Sequence, residues 1–233
     1  IIALEEKGYG RSSLIRRYLR ELRICEYYKN CAGGGTTRLL FKLHNFYRNR
    51  LGLRLGFEIP LNVFGKGLHI FHTGNIIINE TSSVGEYCNI IGSTCLGSKD
   101  GGNGPTIGNH CELGMNSVVI GNVKIGNNVY INRNCNIVSH KKISIEDNVT
   151  KGPNVCIFDH DHNYKKKKTG NDYVSKDVVI GTGTWIGSNC IITKGVIIGS
   201  NCVIAAGTIV TKNVPNNMII RTKCEYVMIN IED

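Results

Sequence analysis

From residue 83 onward the chain returns to an aliphatic side chain every six positions. The register reads Val84, Ile90 and Leu96, then Ile107, Leu113, Val119, Ile125, Ile131 and Ile137, then Ile145, and finally Ile180, Ile186, Ile192, Ile198, Ile204 and Val210. Glycine follows the aliphatic residue at 85, 97, 108, 114, 126, 181, 187 and 199. Four residues after the aliphatic one stands a small or compact side chain, among them Cys88, Cys111, Ser117, Val129, Cys135, Thr184, Cys190 and Cys202. A repeat of six fits neither the helical period of about 3.6 nor the evenly alternating strands of a sandwich. It predicts short strands joined by tight turns in a solenoid, three hexapeptides to each triangular coil, with the aliphatic ladder filling the prism.

The register breaks three times. Extra chain, GSKDGGNGP, separates Leu96 from Ile107; two residues are added between Ile137 and Ile145; and a long polar excursion containing FDHDHNYKKKK lies between Ile157 and Ile180. A solenoid carries such insertions on its outside, and loops on a rigid scaffold are where function concentrates. Lys151 falls where an aliphatic residue should point inward. Because an unpaired buried ammonium is costly, its head is expected to snorkel out at a corner, or the coil to be distorted there.

Upstream the period changes. RSSLIRRYLRELRICEYYKN sets Leu14, Ile15, Tyr18, Leu19, Leu22 and Cys25 at helical spacing with Ser12 or Ser13 as cap, and TTRLLFKLHNFYRNRL repeats this with Leu39, Leu40, Leu43, Phe46, Tyr47 and Leu51. The two apolar faces are expected to pack on each other and on the first coil or a neighbouring subunit. The domain reading is a basic helical segment over 1–56, a β-helix over 57–220 with a loop at 158–178, and a tail over 221–233.

Residues 178–217, VVIGTGTWIGSNCIITKGVIIGSNCVIAAGTIVTKNVPNN, resemble the C-terminal coils of maltose and galactoside O-acetyltransferases and their capsule-modifying relatives. The resemblance to hexapeptide-repeat acyltransferases extends over residues 57–220. It implies a mainly β fold, a single-stranded left-handed parallel β-helix, working as a homotrimer with its site at a subunit seam. It also implies acetyl-CoA as co-substrate, a small-molecule or glycan acceptor, and no metal. In those enzymes the catalytic histidine precedes this block by an interval that corresponds to His160. A YxN element, here YIN, gives Asn132 as an acceptor contact, with Asp159 a further acceptor-side candidate. Carried over by position, Trp185, Ser188, Ala206, Thr211 and Lys212 line the acetyl-CoA groove, Lys212 near a phosphate. Three departures argue against a simple galactoside or maltose acceptor: an N-terminal aspartate has no match, Val118 replaces a serine, and His140 replaces an aspartate.

The first half offers a second candidate, because FEIPLNVFGKGLHIFHTGNIIIN is similar to serine acetyltransferase, where a carboxylate and histidine correspond to Glu58 and His72. The family's further loop histidine is missing from GSKDGGNGP, and its helical N-terminal domain is much shortened here. Acyl transfer to a hydroxyl needs a base that titrates near neutrality and donors for the developing oxyanion. If the coenzyme nucleotide lies toward the last coils, as the resemblance implies, His72 is about six coils away, roughly 30 Å at one strand spacing per coil. His160 is two to three coils away and is preferred. The expected activity is acetyl-CoA-dependent O-acetylation of a sugar hydroxyl in surface polysaccharide or glycan biosynthesis. Serine O-acetylation by Glu58 and His72 is the alternative, and a non-catalytic solenoid binding a glycan or partner is a third.

Charge and cysteine content sharpen this picture only at the edges. Of the formal net charge of +10, residues 1–66 contribute most, with thirteen Lys/Arg against five Asp/Glu. No zinc-finger spacing, RNA-recognition signature or basic zipper accompanies that charge, so nucleic acid is not an expected partner. Basic helical faces leave peripheral contact with an anionic membrane open. The ten cysteines include no CxxC pair, and the sequence has no signal-like segment and no run of 18 apolar residues, so reduced thiols in the cytoplasm are expected. Around His160, alternation along an extended segment would send Asp159 and Asp161 to one face and His160 and His162 to the other, leaving only two imidazoles to converge on a metal. Lys165 to Lys168 read as a solvated loop tip or as an electrostatic lure for phosphate groups.

Overall fold

The computed structural model describes residues 13–31, 33–99, 101–163 and 172–223. Two helices, α1 (Ser13–Cys31) and α2 (Gly35–Leu55), precede a parallel β-solenoid. The chain winds over three faces. The first face stacks eight strands, Phe57–Glu58, Ile76–Ile78, Cys95–Gly97, Val118–Ile120, Asn136–Val138, Cys156–Phe158, Ile191–Ile192 and Ile209–Val210. The second runs from Ser83–Val84 to Ile197–Ile198 in six strands, and the third from His69–Ile70 to Ile219–Ile220 in eight. Within each face every strand pairs in parallel with those one coil before and after, as Ile131 does with Leu113 and Lys151. Backbone groups are thereby satisfied along the axis, and the six-residue register becomes an inward ladder that includes Ile90, Leu113, Ile131, Ile186 and Ile204, all buried.

Two corner positions explain the rest of the repeat. The inward small residue faces a carbonyl of the next coil: Cys88, Cys111, Cys135, Cys190 and Cys202 are buried, each with its Sγ donating to such an oxygen at 3.0–3.3 Å. One residue earlier the backbone turns through the left-handed region. Asparagine holds that place at 116, 128, 134, 148, 154, 189, 201 and 217, with φ between 54 and 60°. Asparagine tolerates this conformation because its short amide bonds locally. The amides also stack between coils, Asn128 to Asn148 at 3.3 Å and Asn154 to Asn189 at 3.0 Å. Glycine after the aliphatic residue has a different cause: a Cβ at Gly114 would lie 2.5 Å from the Arg133 nitrogen of the next coil.

Lys151 neither snorkels nor distorts its coil. It sits in register between Ile131 and Ile186, its side chain is fully buried, and its Nζ has no hydrogen-bond partner. A lysine stem fills the slot of an isoleucine, and regular strands on either side leave the head no route outward. Burial lowers its pKa from 10.5 to about 8, partly opposed by the nearby Cys135 and Cys111 thiols.

The first coil has no coil beneath it, and α1 closes that end. Ile15, Tyr18, Leu19, Leu22 and Cys25 are buried as the spacing predicts, with Tyr18 edge-on to Phe57 at 5.2 Å. Arg23 donates to the carbonyls of Phe64 and Gly65, at 2.9 and 2.5 Å, and Glu26 accepts from the Asn62 amide at 2.7 Å. Unpaired backbone at the end of the solenoid is thus capped by charged side chains. Helix α2 departs from expectation. Leu39, Leu43, Phe46 and Tyr47 are exposed, and only Gly52 and Leu55 are buried. The opposite side of the helix does the packing: His44 meets Glu21 at 2.6 Å, Arg48 donates to the Ile59 carbonyl at 3.2 Å, and Gly52 lies against Phe57 and Tyr18. Ser12 and most of the tail over 221–233 lie outside the described residues. No helix among the described residues is long and apolar enough to cross a membrane.

Candidate active site

The three register breaks leave the prism at one edge, between the first and second faces. The described parts of 98–105, 139–142 and 159–177 follow the third, fifth and sixth strands of the first face, so they line up along one edge. The longest begins as a hairpin in which His160–His162 pairs antiparallel with Tyr173–Ser175. The Lys176 amide returns to the Asp159 carbonyl at 2.8 Å, Lys141 pairs with Asp177 at 3.0 Å, and Lys194 pairs with Asp161, fixing the hairpin to the coils around it.

At its root stands Asp159, fully buried. Its Oδ2 accepts from Ser139 Oγ and from the Lys141 and Lys142 amides, each at 2.8 Å, and its Oδ1 from the His140 amide at 2.8 Å and His160 Nδ1 at 3.0 Å. Burial alone would raise the carboxyl's pKa, but these donors more than offset it and hold Asp159 below the usual carboxylate range. An acceptor-only carboxylate on Nδ1 makes that nitrogen the donor and leaves the lone pair on Nε2. The rings of His160 and His140 stack with centroids 3.6 Å apart, Tyr173 stands edge-on to His140 at 4.0 Å, and Lys99 Nζ lies 2.6 Å from His140 Nε2. Lys99, Asn103, Asn122, Ser139, His140 and Tyr173 line a cavity of about 390 Å³ beside them. The arrangement is an oriented imidazole base next to a polar, cationic hollow.

The remaining candidates are spread over the prism. His72 follows the first strand of the third face and Glu58 lies on the first strand of the first face; both are exposed, and among the described residues neither is hydrogen-bonded or ion-paired with the other. His160 follows the sixth rung of the first face, about four rungs or roughly 20 Å further along the axis. Asn132, Ser188 and Ala206 occupy the edge between the third and first faces, and Trp185 is exposed on the third face itself. Thr211 and Lys212 return to the edge that carries His160. Within one chain, then, Asn132 is not brought to His160. Asp159 and Asp161 do not share a face as strand alternation suggested: Asp159 precedes the hairpin strand and is buried, whereas Asp161 is exposed. Lys165 to Lys168 lie outside the described residues, among which no cluster of three metal-ligating side chains occurs.

Ser139, Lys99 and Tyr173 were not picked out by sequence reasoning. The signal was available in the spacing: Leu96, Val119, Ile137 and Ile157 are each one coil apart, so insertions after the first, third and fourth had to share an edge.

Comparison with known proteins agrees with this architecture. The family description "Bacterial transferase hexapeptide (six repeats)" matches residues 104–139, and "Hexapeptide repeat of succinyl-transferase" matches residues 177–212. A galactoside O-acetyltransferase of Escherichia coli K12 is 43% identical over 100 residues, 42% of this chain and 49% of that protein. A serine acetyltransferase of Synechococcus elongatus is 39% identical over 83 residues, 34% of each chain. The chain thus spans between a third and a half of the length of these curated relatives. Among solved structures, a maltose O-acetyltransferase from Clostridium difficile 630 is 24% identical, with 91% of this chain and 86% of that one covered at a TM-score of 0.38. With both repeat matches falling on coils of the prism, the chain is a hexapeptide-repeat solenoid that resembles the bacterial acetyltransferases of that kind.

Proposed function

We propose that this protein is an acetyl-CoA-dependent O-acetyltransferase whose base is His160 and whose acceptor is a sugar hydroxyl of a glycan or glycan precursor. The observation that carries the reading is the Asp159–His160 pair: a buried carboxylate bonded to Nδ1 and held by four further donors. Asp159 fixes the tautomer and steadies the imidazolium, so that Nε2 can take the acceptor's hydroxyl proton as it attacks. Asp159 is therefore read as a positioning residue and not as an acceptor contact. The co-substrate supplies an activated acyl thioester. The last coils suit such a molecule, with exposed Ile209, Met218 and Ile219 for an apolar arm and Lys212 and Arg221 for phosphates around one groove.

A homotrimer belongs to the same proposal. Asn132, Trp185, Ser188 and Ala206 lie away from the edge that holds His160 and Lys212, so one site using both sets needs a second copy. The first face supports such packing, because Ile77, Ile191 and Ile209 point outward from it and are exposed.

Separate replacement of His160 and His72 by alanine, assayed as thiol release from acetyl-CoA with free sugars, nucleotide sugars and serine as acceptors, tests the assignment. His160→Ala should lose about 10²- to 10⁴-fold in rate and His72→Ala almost nothing. The reverse pattern, with serine as acceptor, would transfer the activity to Glu58 and His72. Wild-type protein that does not bind acetyl-CoA would reduce the chain to a binding solenoid.

A further inference from the structure

We propose that the outward face of α2 docks the protein on an anionic membrane surface. This inference stands apart from the reading of the His160 site. Leu39, Leu43, Phe46 and Leu53 fall at i, i+4, i+7 and i+14 and form one stripe, and they are 69, 47, 60 and 87% exposed. Tyr47, on the margin of the stripe, is exposed as well. Surface helices of globular proteins turn such a stripe toward the core, and here the core contact is made by the opposite side, through His44, Arg48, Gly52 and Leu55.

Charge identifies the occupant. The helix contains five Lys/Arg and no Asp or Glu. Arg48 is turned inward to the Ile59 carbonyl, but Arg38, Lys42, Arg50 and Arg54 are exposed along the stripe and its margins, and Arg16 and Arg17 of α1 are exposed as well. A second copy of the same helix would bring two sets of cations together as the leucines met, whereas a bilayer rich in anionic headgroups takes the leucines and Phe46 between its acyl chains and the guanidinium groups at phosphate level. The helix lies in the interface plane. At 21 residues it is about 31 Å long, enough to engage several headgroups at once.

The test is sedimentation of the full chain with vesicles of phosphatidylcholine alone and with vesicles in which about a third of the lipid is phosphatidylglycerol. Two variants accompany it: Leu39→Ser/Phe46→Ser/Leu53→Ser removes the stripe, and Arg50→Glu/Arg54→Glu reverses its charge. All five positions are exposed, so the thermal midpoint should be unaltered and serves as the folding control. Wild-type protein should bind the anionic vesicles at least about tenfold more tightly than neutral ones, each variant should lose about tenfold, and about 0.5 M salt should weaken the wild type. Equal binding to both vesicle types, or undiminished binding by the stripe variant, overturns the proposal. So does a fall in solution mass of the stripe variant, which would mean that a second copy covers the leucines.

Discussion

Replacing Lys151 by methionine should make this protein more stable, by an amount that depends on pH in a defined way. The side chain is enclosed between Ile131 and Ile186 with no partner for Nζ, and burial moves its pKa from 10.5 to about 8. At about 1.4 kcal/mol per pH unit, keeping that proton in the folded state costs about 3 kcal/mol below pH 8. Between pH 8 and 10.5 the unfolded chain holds the proton while the folded one has released it. Wild-type stability from this residue therefore rises with pH through that window and levels off above it. Methionine is likewise unbranched, one atom shorter and uncharged, so it should fit the slot. The expected gain is about 3 kcal/mol at pH 7, shrinking to about 1 kcal/mol at pH 10, plus the smaller cost of an unpaired neutral amine. Urea midpoints of wild type and variant, compared at one protein concentration at pH 7 and pH 10, provide the measurement. Taking the difference between the proteins cancels the groups that titrate independently of Lys151, though not Cys111 and Cys135, whose thiols feel its charge. A gain that is equal at both pH values, or a variant less stable than wild type at pH 7, would refute the reasoning, because either result means the ammonium is compensated inside the prism.

Three further outcomes follow from the same geometry. Asp159→Asn replaces one acceptor oxygen with a donor amide among five donors, and should cost about 3 kcal/mol of stability. Because the folded carboxyl lies below its ordinary 3.8, the wild type keeps this stabilisation above that pH and loses it as pH falls through the depressed value, whereas the amide variant shows no such acid-limb loss in urea titrations. Asn128→Ala should cost about 1 kcal/mol and Asn128→Gly only a few tenths, read as denaturant midpoints, since the corner requires a positive φ. Trp185 is the sole tryptophan and is exposed, so addition of coenzyme A should change the intrinsic emission if the third face forms one wall of its groove; an unchanged spectrum at saturating coenzyme excludes Trp185 from that groove.

The sequence by itself determined the prism. A six-residue register is a local code: aliphatic, glycine, turn and small residue recur within one hexapeptide, and stacking follows because each strand can satisfy its backbone only on the coil above and below. Helical spacing likewise placed Ile15, Tyr18, Leu19, Leu22 and Cys25 on the buried side of α1, and the breaks in the six-residue register drew attention to the excursion that carries His160. What only the tertiary structure decided depends on contacts between distant turns. Asp159 looked like a surface ligand until residues 139–142, a full coil away, proved to surround it with donors. His140 looked like a mere departure from pattern until its ring was found stacked on His160. Helical periodicity gave the leucines of α2 a common face but could not say which side would meet the first coil, because Gly52 and Arg48 offered that coil a closer and better-bonded fit. Lys151 marks the same boundary: cost alone predicted an escape to solvent or a distorted coil, whereas the regular pairing of neighbouring strands holds it inside.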